Sequence, residues 1–228
     1  MNIIYIEPYY SGSHKKWIDS YKKYSKHNIE LLTLPGNKWK WRMHGGAVTL
    51  AEKFNGYDKD IDLIVCSDFI NLPVFKSLCQ NKLSDTPIGM YFHENQLSYP
   101  WSPNDKDVSL NRDLHYHFIN YSSSLAADFN LFNSSYHLNS YLISLKKYLK
   151  KMPDFNNFDS ISDISKKSDV LYIGCELKKF KLYQKKIVNK IPLILWNHRW
   201  EFDKNPDTFF NLLYKLKNDN IDFEVAIL

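Results

Sequence analysis

The polar chemistry of this chain concentrates in two short runs, each placed where an apolar stretch ends. The first is His93-Glu94-Asn95-Gln96, after Pro87-Ile88-Gly89-Met90-Tyr91-Phe92. A neutral imidazole with a carboxylate and two carboxamides can hold the hydroxyls of a sugar. The plainer reading is that one or two of them cap the next segment. The second run is His198-Arg199-Trp200-Glu201-Phe202-Asp203-Lys204, after Pro192-Leu193-Ile194-Leu195-Trp196. Arg199 and Lys204 are two cations in one turn, suited to neutralising a leaving diphosphate as its charge grows. The alternative there is a surface ion pair of Arg199 with Glu201 or Asp203, worth ~0–1 kcal/mol.

Three further segments carry candidate groups. In Glu7-Pro8-Tyr9-Tyr10-Ser11-Gly12-Ser13-His14, Gly12 permits a tight turn into a helix whose free N–H groups can meet a phosphate or a sugar hydroxyl. An ordinary turn with Ser13 as the helix cap explains the same residues. Lys38-Trp39-Lys40-Trp41-Arg42 interleaves cations with indoles, a strip able to stack on bases and pair with phosphates. It reads equally as a surface loop whose long side chains lie over apolar neighbours. Arg112, Tyr116 and Asn120 fall one helical turn apart and either line a cleft or face water. No metal is expected. His93-Glu94 is not followed by a second histidine at zinc spacing, and His115 and His117 point to different sides of a helix.

Short apolar runs alternate with amphipathic stretches and so define the elements that must position these groups. Asn2–Ile6, Ile29–Leu34, Ile61–Cys66, Pro87–Phe92, Asp128–Phe132 and Val170–Ile173 read as strands. His14–Lys26, Gly46–Asn55, Asp107–Ala127 and Ser134–Lys150 read as helices, with Asp68–Gln80 a loop holding a short helix. The alternation predicts βα units, hence an α/β fold with a parallel sheet covered by helices. Such sheets bind ligands beyond the carboxyl ends of their strands. Residues 151–168 are polar, a surface loop or a short helix, and the Lys-rich stretch 174–190 reads as a linker. A second rhythm follows: strand Pro192–Trp196, helix Pro206–Lys217 opened by proline, and strand Phe223–Leu228. A lone strand–helix–strand cannot bury its own core, so the expectation is a chain that forms the front part of something longer. The predicted division is a domain over 1–173, a linker over 174–190 and an incomplete second domain over 191–228.

Composition narrows the class. With 44% hydrophobic and 24% charged residues, the chain is globular and not disordered. Thirty basic against 25 acidic side chains give +5, which permits a polyanionic partner without requiring one. Cys66, Cys79 and Cys175 show neither paired nor zinc spacing and read as reduced thiols of a cytoplasmic protein. No apolar run reaches the length of a membrane span, and the N-terminus lacks the pattern of a signal peptide.

Taken together, these blocks resemble the N-terminal part of the tRNA-queuosine mannosyltransferases, relatives of the retaining glycosyltransferases of two-domain GT-B architecture. The resemblance rests on Glu7 with Tyr10-Ser11-Gly12-Ser13-His14-Lys15, and on Thr33-Leu34-Pro35 with Lys38-Trp39 and Trp41-Arg42. It continues in Tyr91-Phe92-His93-Glu94-Asn95-Gln96-Leu97 with Tyr99-Pro100, in Arg112-Asp113, in Phe132-Asn133-Ser134, and in His198-Arg199-Trp200-Glu201 with Asp203-Lys204 and Pro206. It implies two Rossmann-like domains, the second cut short here. It implies transfer of mannose from GDP-mannose to queuosine in the anticodon of tRNA(Asp), with retention and without a metal. On this resemblance His93 meets the donor sugar, with Glu94 beside it in the catalytic motif, and Arg199 and Lys204 hold the donor diphosphate. Gly12, Ser13, His14, Asn95 and Gln96 line the acceptor side of the cleft, and Lys38, Trp39, Trp41, Arg42 and Arg112 meet RNA. The acidic motif that grips the donor in the wider fold lies beyond Leu228. Two other readings stay open: a GT-B enzyme acting on a lipid or polysaccharide, and a non-catalytic RNA-binding remnant.

Overall fold

A computed structural model of the chain describes every residue except Ser84, Asn111, Asp113 and residues 184–188. Asp113 of the Arg112-Asp113 pair therefore lies outside the described residues, as does part of the stretch read as a linker. The chain divides into two compact units, one of residues 1–99 with 107–174 and one of residues 100–106 with 175–228.

In the first unit the strands are β1 (Asn2–Tyr10), β2 (Asn28–Pro35), β3 (Leu63–Ser67), β4 (Ile88–Phe92), β5 (Phe129–Phe132) and β6 (Ser168–Val170). The helices between them are α1 (Gly12–Tyr24), α2 (Trp39–Asn55), α3 (Leu72–Leu83), α4 (Lys106–Ser109, whose first residue groups with the second unit), α5 (Leu114–Ala126), α6 (Ser135–Leu149) and α7 (Asp159–Lys166). The six strands form one parallel sheet in the order β2-β1-β3-β4-β5-β6. That is the expected Rossmann-like α/β architecture. The order reverses at the β1/β3 boundary, which makes the carboxyl ends of those strands the natural place for a ligand.

The pleat decides which side chains meet there. Side chains alternate across a strand. On β1, Ile4 and Ile6 join the larger core with Leu50 and Phe54 of α2, Phe75 of α3, Tyr121 of α5, Leu145 of α6 and Ile164 of α7. Ile3 and Tyr5 face the other way, with Ile18 of α1 and Tyr91 of β4. Continued by two residues on β1 and on β4, the same alternation puts Glu7 and His93 on the side of α1. The site is thus written into the strand pattern, two residues past buried aromatic positions.

Several boundaries differ from the sequence reading, each for a local reason. β1 runs on to Tyr10 because its register with β2 shifts between Glu7 and Tyr10, which keeps the strand paired past Pro8. The helix cap before α1 is Ser11, not Ser13, and its side chain makes no capping bond. The strip at 38–42 is not a loop: α2 begins at Trp39, after Lys38 takes a left-handed φ of 50°. The helix expected over Asp107–Ala127 is broken into α4 and α5, so Arg112 lies between helices and shares no helical stripe with Tyr116 and Asn120. In place of a loop with a short helix over Asp68–Gln80 stands a full helix, α3, that runs on to Leu83, and its buried Phe75, Cys79 and Leu83 follow helical spacing. A short helix, α7, occupies part of the polar stretch before β6.

The second unit contains β7 (Leu193–Trp196), α8 (Pro206–Asn218) and β8 (Glu224–Ile227), with β7 and β8 parallel. A 3-10 segment covers Leu177–Tyr183 within the stretch read as a linker. The boundary of contacts falls after Gly174, and Pro100–Lys106 groups with this unit, which the sequence pattern does not suggest. Among its described residues only Trp196 and Leu213 are buried hydrophobics, while Leu193 and Leu195 stay half exposed.

Candidate active site

A buried polar cluster fills the carboxyl edge of the sheet at the strand-order switch. Its centre is Glu7, which is 0% exposed at the end of the apolar part of β1. One carboxylate oxygen accepts from the Tyr9 N–H at 2.9 Å and from the Ser67 hydroxyl at 2.9 Å. The other lies 3.1 Å from Nδ1 of His14, on the first turn of α1. Gly12, at φ +50°, supplies the left-handed residue that starts this helix directly after β1. The ring of His14 then lies over the ring of His93, centroids 4.1 Å apart and planes 35° apart.

His93 is held from three sides. Its backbone N–H donates to Asp68 at 2.9 Å, its carbonyl accepts from Asn133 Nδ2 at 2.7 Å, and its Nε2 lies 3.3 Å from the Tyr5 hydroxyl. Trp17 of α1 meets the ring edge-on and stacks on Tyr91 at 4.1 Å. On the other side Phe69 packs on His14 at 5.1 Å and stacks on Tyr9. The imidazoles therefore sit in an aromatic cage with acidic groups beneath.

The electrostatics of the two rings are opposite. Burial works against a charge on His14, but the hydrogen bond and charge of Glu7, aided by Asp68 and Glu94, outweigh it and hold the ring up at about 9. His14 is thus an imidazolium at neutral pH. His93 is pushed well below the usual histidine value, first by burial, then by the neighbouring His14 and by His137. Asp68 is driven up to about 8, by burial first, with His14 opposing and Glu94 and Glu7 adding to the rise. One edge thus holds a fixed cation, a neutral imidazole and a carboxyl group that keeps its proton at neutral pH.

Glu7, His14 and His93 bring donor atoms within 4.8 Å of one another, close enough to raise the question of a metal ion. The geometry suits hydrogen bonding better. The Glu7 carboxylate already accepts from Tyr9 and Ser67 and lies against His14. One nitrogen of each ring is also engaged, with Glu7 and with Tyr5.

The remaining candidates fall into three groups. Around His93, Glu94 accepts from Gln96 Nε2 at 3.2 Å, and the Gln96 N–H donates to Asn120 at 2.7 Å. Asn95 is buried and accepts from the N–H and hydroxyl of Ser98, so it braces the turn. Gly12 and Ser13 are exposed at the start of α1. In the 38–42 strip, Trp39 turns inward against Tyr116 and Phe69 and joins the aromatic cage, whereas Trp41 is 65% exposed over Gly45. Arg42 folds back on the turn, donating to the Pro35 carbonyl and to Asn37. Lys38 is exposed, as is Arg112, whose N–H bonds to the carbonyl of Asp107, the residue that also pairs with Lys40.

The third group lies in the second unit. Arg199 is exposed and Lys204 donates to Asp203 at 2.7 Å. The anticipated ion pairing of that turn thus uses Lys204 and not Arg199. Beside it Trp200 stacks on Trp196 and Phe210.

The sequence reading assigned no role to Tyr5, Glu7, Trp17, Ser67, Asp68 or Asn133. A signal was present for two of them: Glu7 closes an apolar strand with a carboxylate, and Asp68 does the same after Leu63-Ile64-Val65-Cys66-Ser67. A close approach also links the two loops at this edge. A Cβ on Gly36 would fall 2.0 Å from Cβ of Ser11. Gly36→Ala should therefore push the Ser11–His14 turn off its seat and lower stability by about 1–3 kcal/mol, read by urea unfolding. Stability within a few tenths of a kcal/mol of the parent would show that the loops have room to part.

A protein from Drosophila melanogaster named tRNA-queuosine alpha-mannosyltransferase is 33% identical over 235 aligned residues, which take in 99% of this chain and 60% of that protein. The chain thus spans about 60% of the length of the curated relative it matches. Residues 2–175, which hold the whole first unit apart from Met1, match the family described as tRNA-queuosine alpha-mannosyltransferase N-terminal. The chain belongs to that family.

Proposed function

We propose that this chain serves the transfer of mannose from GDP-mannose to queuosine in the anticodon of tRNA(Asp), with retention at the anomeric carbon, in the cytoplasm. Membership of the family over residues 2–175 is the observation that carries the reading. The cluster at the sheet edge supports it chemically. A neutral imidazole at His93 and carboxyl groups at Asp68 and Glu94 suit the hydroxyls of a sugar or of a cyclopentene diol. Arg199 and Lys204 are assigned to the donor diphosphate in a GT-B arrangement of two Rossmann-like domains, with no metal needed. Gly12, Ser13 and His14, with Asn95 and Gln96 bracing the next turn, form the acceptor side.

The exposed face of α2 is assigned to the RNA. Trp41 offers a free indole face flanked by Lys38 and Arg42, while Trp39 buttresses the cage from within. Base–aromatic stacking contributes ~1–3 kcal/mol per base, so Trp41→Ala should raise the Kd for tRNA roughly tenfold to a hundredfold. Donor hydrolysis should be untouched. Unchanged tRNA affinity would remove this surface from the proposal.

The test of the reaction is direct. Queuosine-containing tRNA is incubated with GDP-mannose and the protein, with the Drosophila relative as a positive control, and its nucleosides are analysed by mass. The expected product is queuosine heavier by one hexose. Mannosylation by the control alone would sink the assignment of activity to this chain, and a hexose on another nucleoside would sink the acceptor.

A further inference from the structure

The histidine pair at the sheet edge carries a more specific inference, which rests on the reading of His93 as a sugar contact and deepens it. We propose that His14 is a positioning residue for His93: clamped by Glu7 and laid against the second ring, it keeps His93 neutral, with its one proton on Nδ1. The site then presents an N–H donor, and its ligand there is an oxygen acceptor such as a sugar hydroxyl or a phosphate oxygen.

Three observations lead to this arrangement. The Tyr5 hydroxyl is buried, and among the described residues its hydrogen-bond partner is His93 Nε2 at 3.3 Å. A buried hydroxyl must place its proton on an acceptor. Tyr5 therefore donates, Nε2 accepts, and the ring proton of a neutral His93 sits on Nδ1. Next, Glu7 Oε2 takes the Nδ1–H of His14 at 3.1 Å while its other oxygen is filled by Tyr9 and Ser67, so the clamp is fixed in direction. Last, the rings are 4.1 Å apart, and a positive His14 at that distance opposes a second positive charge on His93.

Among the described residues, the charged or titratable groups around His93 are His14 from α1, Tyr5 and Glu7 from β1, Asp68 after β3, Tyr91 from β4, Glu94 in the same turn, and His137 from α6. His137 cannot supply the charge. Its Nδ1 bonds to Asn133 Oδ1 at 3.0 Å, the other amide atom of Asn133 already donates to the His93 carbonyl, and burial pushes the ring down to about 4. His14 is left as the cation of the set.

Side-chain nitrogen spectra of the 15N-labelled protein decide the matter without any transfer activity, so failure here is separable from failure of the proposed reaction. In the parent at pH 7, His93 should show one proton, on Nδ1, and His14 should show two. In His14→Gln the His93 titration should move up by about one pH unit or more. In Tyr5→Phe the Nε2–H form should appear beside the Nδ1–H form, because the donor that fixed it is gone. A parent His93 that carries its proton on Nε2, or two protons at pH 7, overturns the proposal. So does a folded His14→Gln protein in which His93 titrates as before. Should His14→Gln fail to fold, Glu7→Gln takes its place: without the clamping charge His14 sheds its proton more readily and the His93 titration should rise, and no rise overturns the proposal.

Discussion

Glu7→Ala should destabilise the first unit by about 3–5 kcal/mol near pH 6, the usual cost of removing one partner of a buried ion pair. The carboxylate is fully buried and answers three donors: the Tyr9 N–H, the Ser67 hydroxyl and the His14 ring. Its loss leaves the His14 charge without a counter-ion and two further donors without acceptors. At higher pH the loss should shrink, because a His14 without Glu7 can shed its proton. Glu7→Gln keeps the shape and an acceptor oxygen but not the charge, so it should fall between the alanine variant and the parent. Urea unfolding at pH 6 and pH 8 measures all three. An alanine variant within 1 kcal/mol of the parent would show that the pair contributes nothing to the fold (about 3–5 kcal/mol is expected for a buried one).

Stability should peak near pH 6.5 and fall on both sides, about the value of an unperturbed histidine. Acid loss comes from His93 and His137, held below that value by burial. They bind protons in the unfolded chain that the native state refuses, so stability drops as pH falls from about 6.5 toward 4. Alkaline loss comes from His14 and Asp68, raised to about 9 and about 8. Here the native state holds protons the unfolded chain has released. The His14 contribution is complete below about 6.5 and vanishes as pH passes 9; the Asp68 contribution is complete only below about 4, partly offsets the acid limb as it declines, and is spent by pH 8. Each excess proton tilts the curve by about 1.4 kcal/mol per pH unit. Asp68→Asn should flatten the alkaline limb below pH 8 and leave the limb above it. A parent curve level between pH 6.5 and pH 9 would contradict the ion-pair assignment.

Proline and glycine punctuation, with apolar runs of strand length, was enough to read the first five strands of the parallel sheet and the βα rhythm after residue 190, whereas the sixth, read over Val170–Ile173, is the polar segment Ser168–Val170 paired with β5. Those signals are local, because a buried strand must be apolar wherever the chain goes next. Where the reading slipped, tertiary contacts had overruled local pattern. Trp39 starts a helix instead of lying in a loop because its indole packs on Phe69 and Tyr116. The helix expected across Arg112 is broken after Ser109, and Asp107, within α4, pairs with Lys40 of α2 and accepts the Arg112 N–H on its carbonyl.

The sequence by itself determined that His93 ends a buried strand, that a turn at Gly12 leads into a helix, and that cations stand ready after β7. It could not determine that Glu7, His14, Asp68 and His93 share one buried cluster. These residues are up to 86 positions apart, and they meet only because strand order reverses between β1 and β3 and α1 lies over the face to which odd-numbered residues of β1 and β4 point. Proximity also reverses the chemistry of identical groups. Burial with a carboxylate makes one histidine a cation, and burial beside that cation keeps the next one neutral.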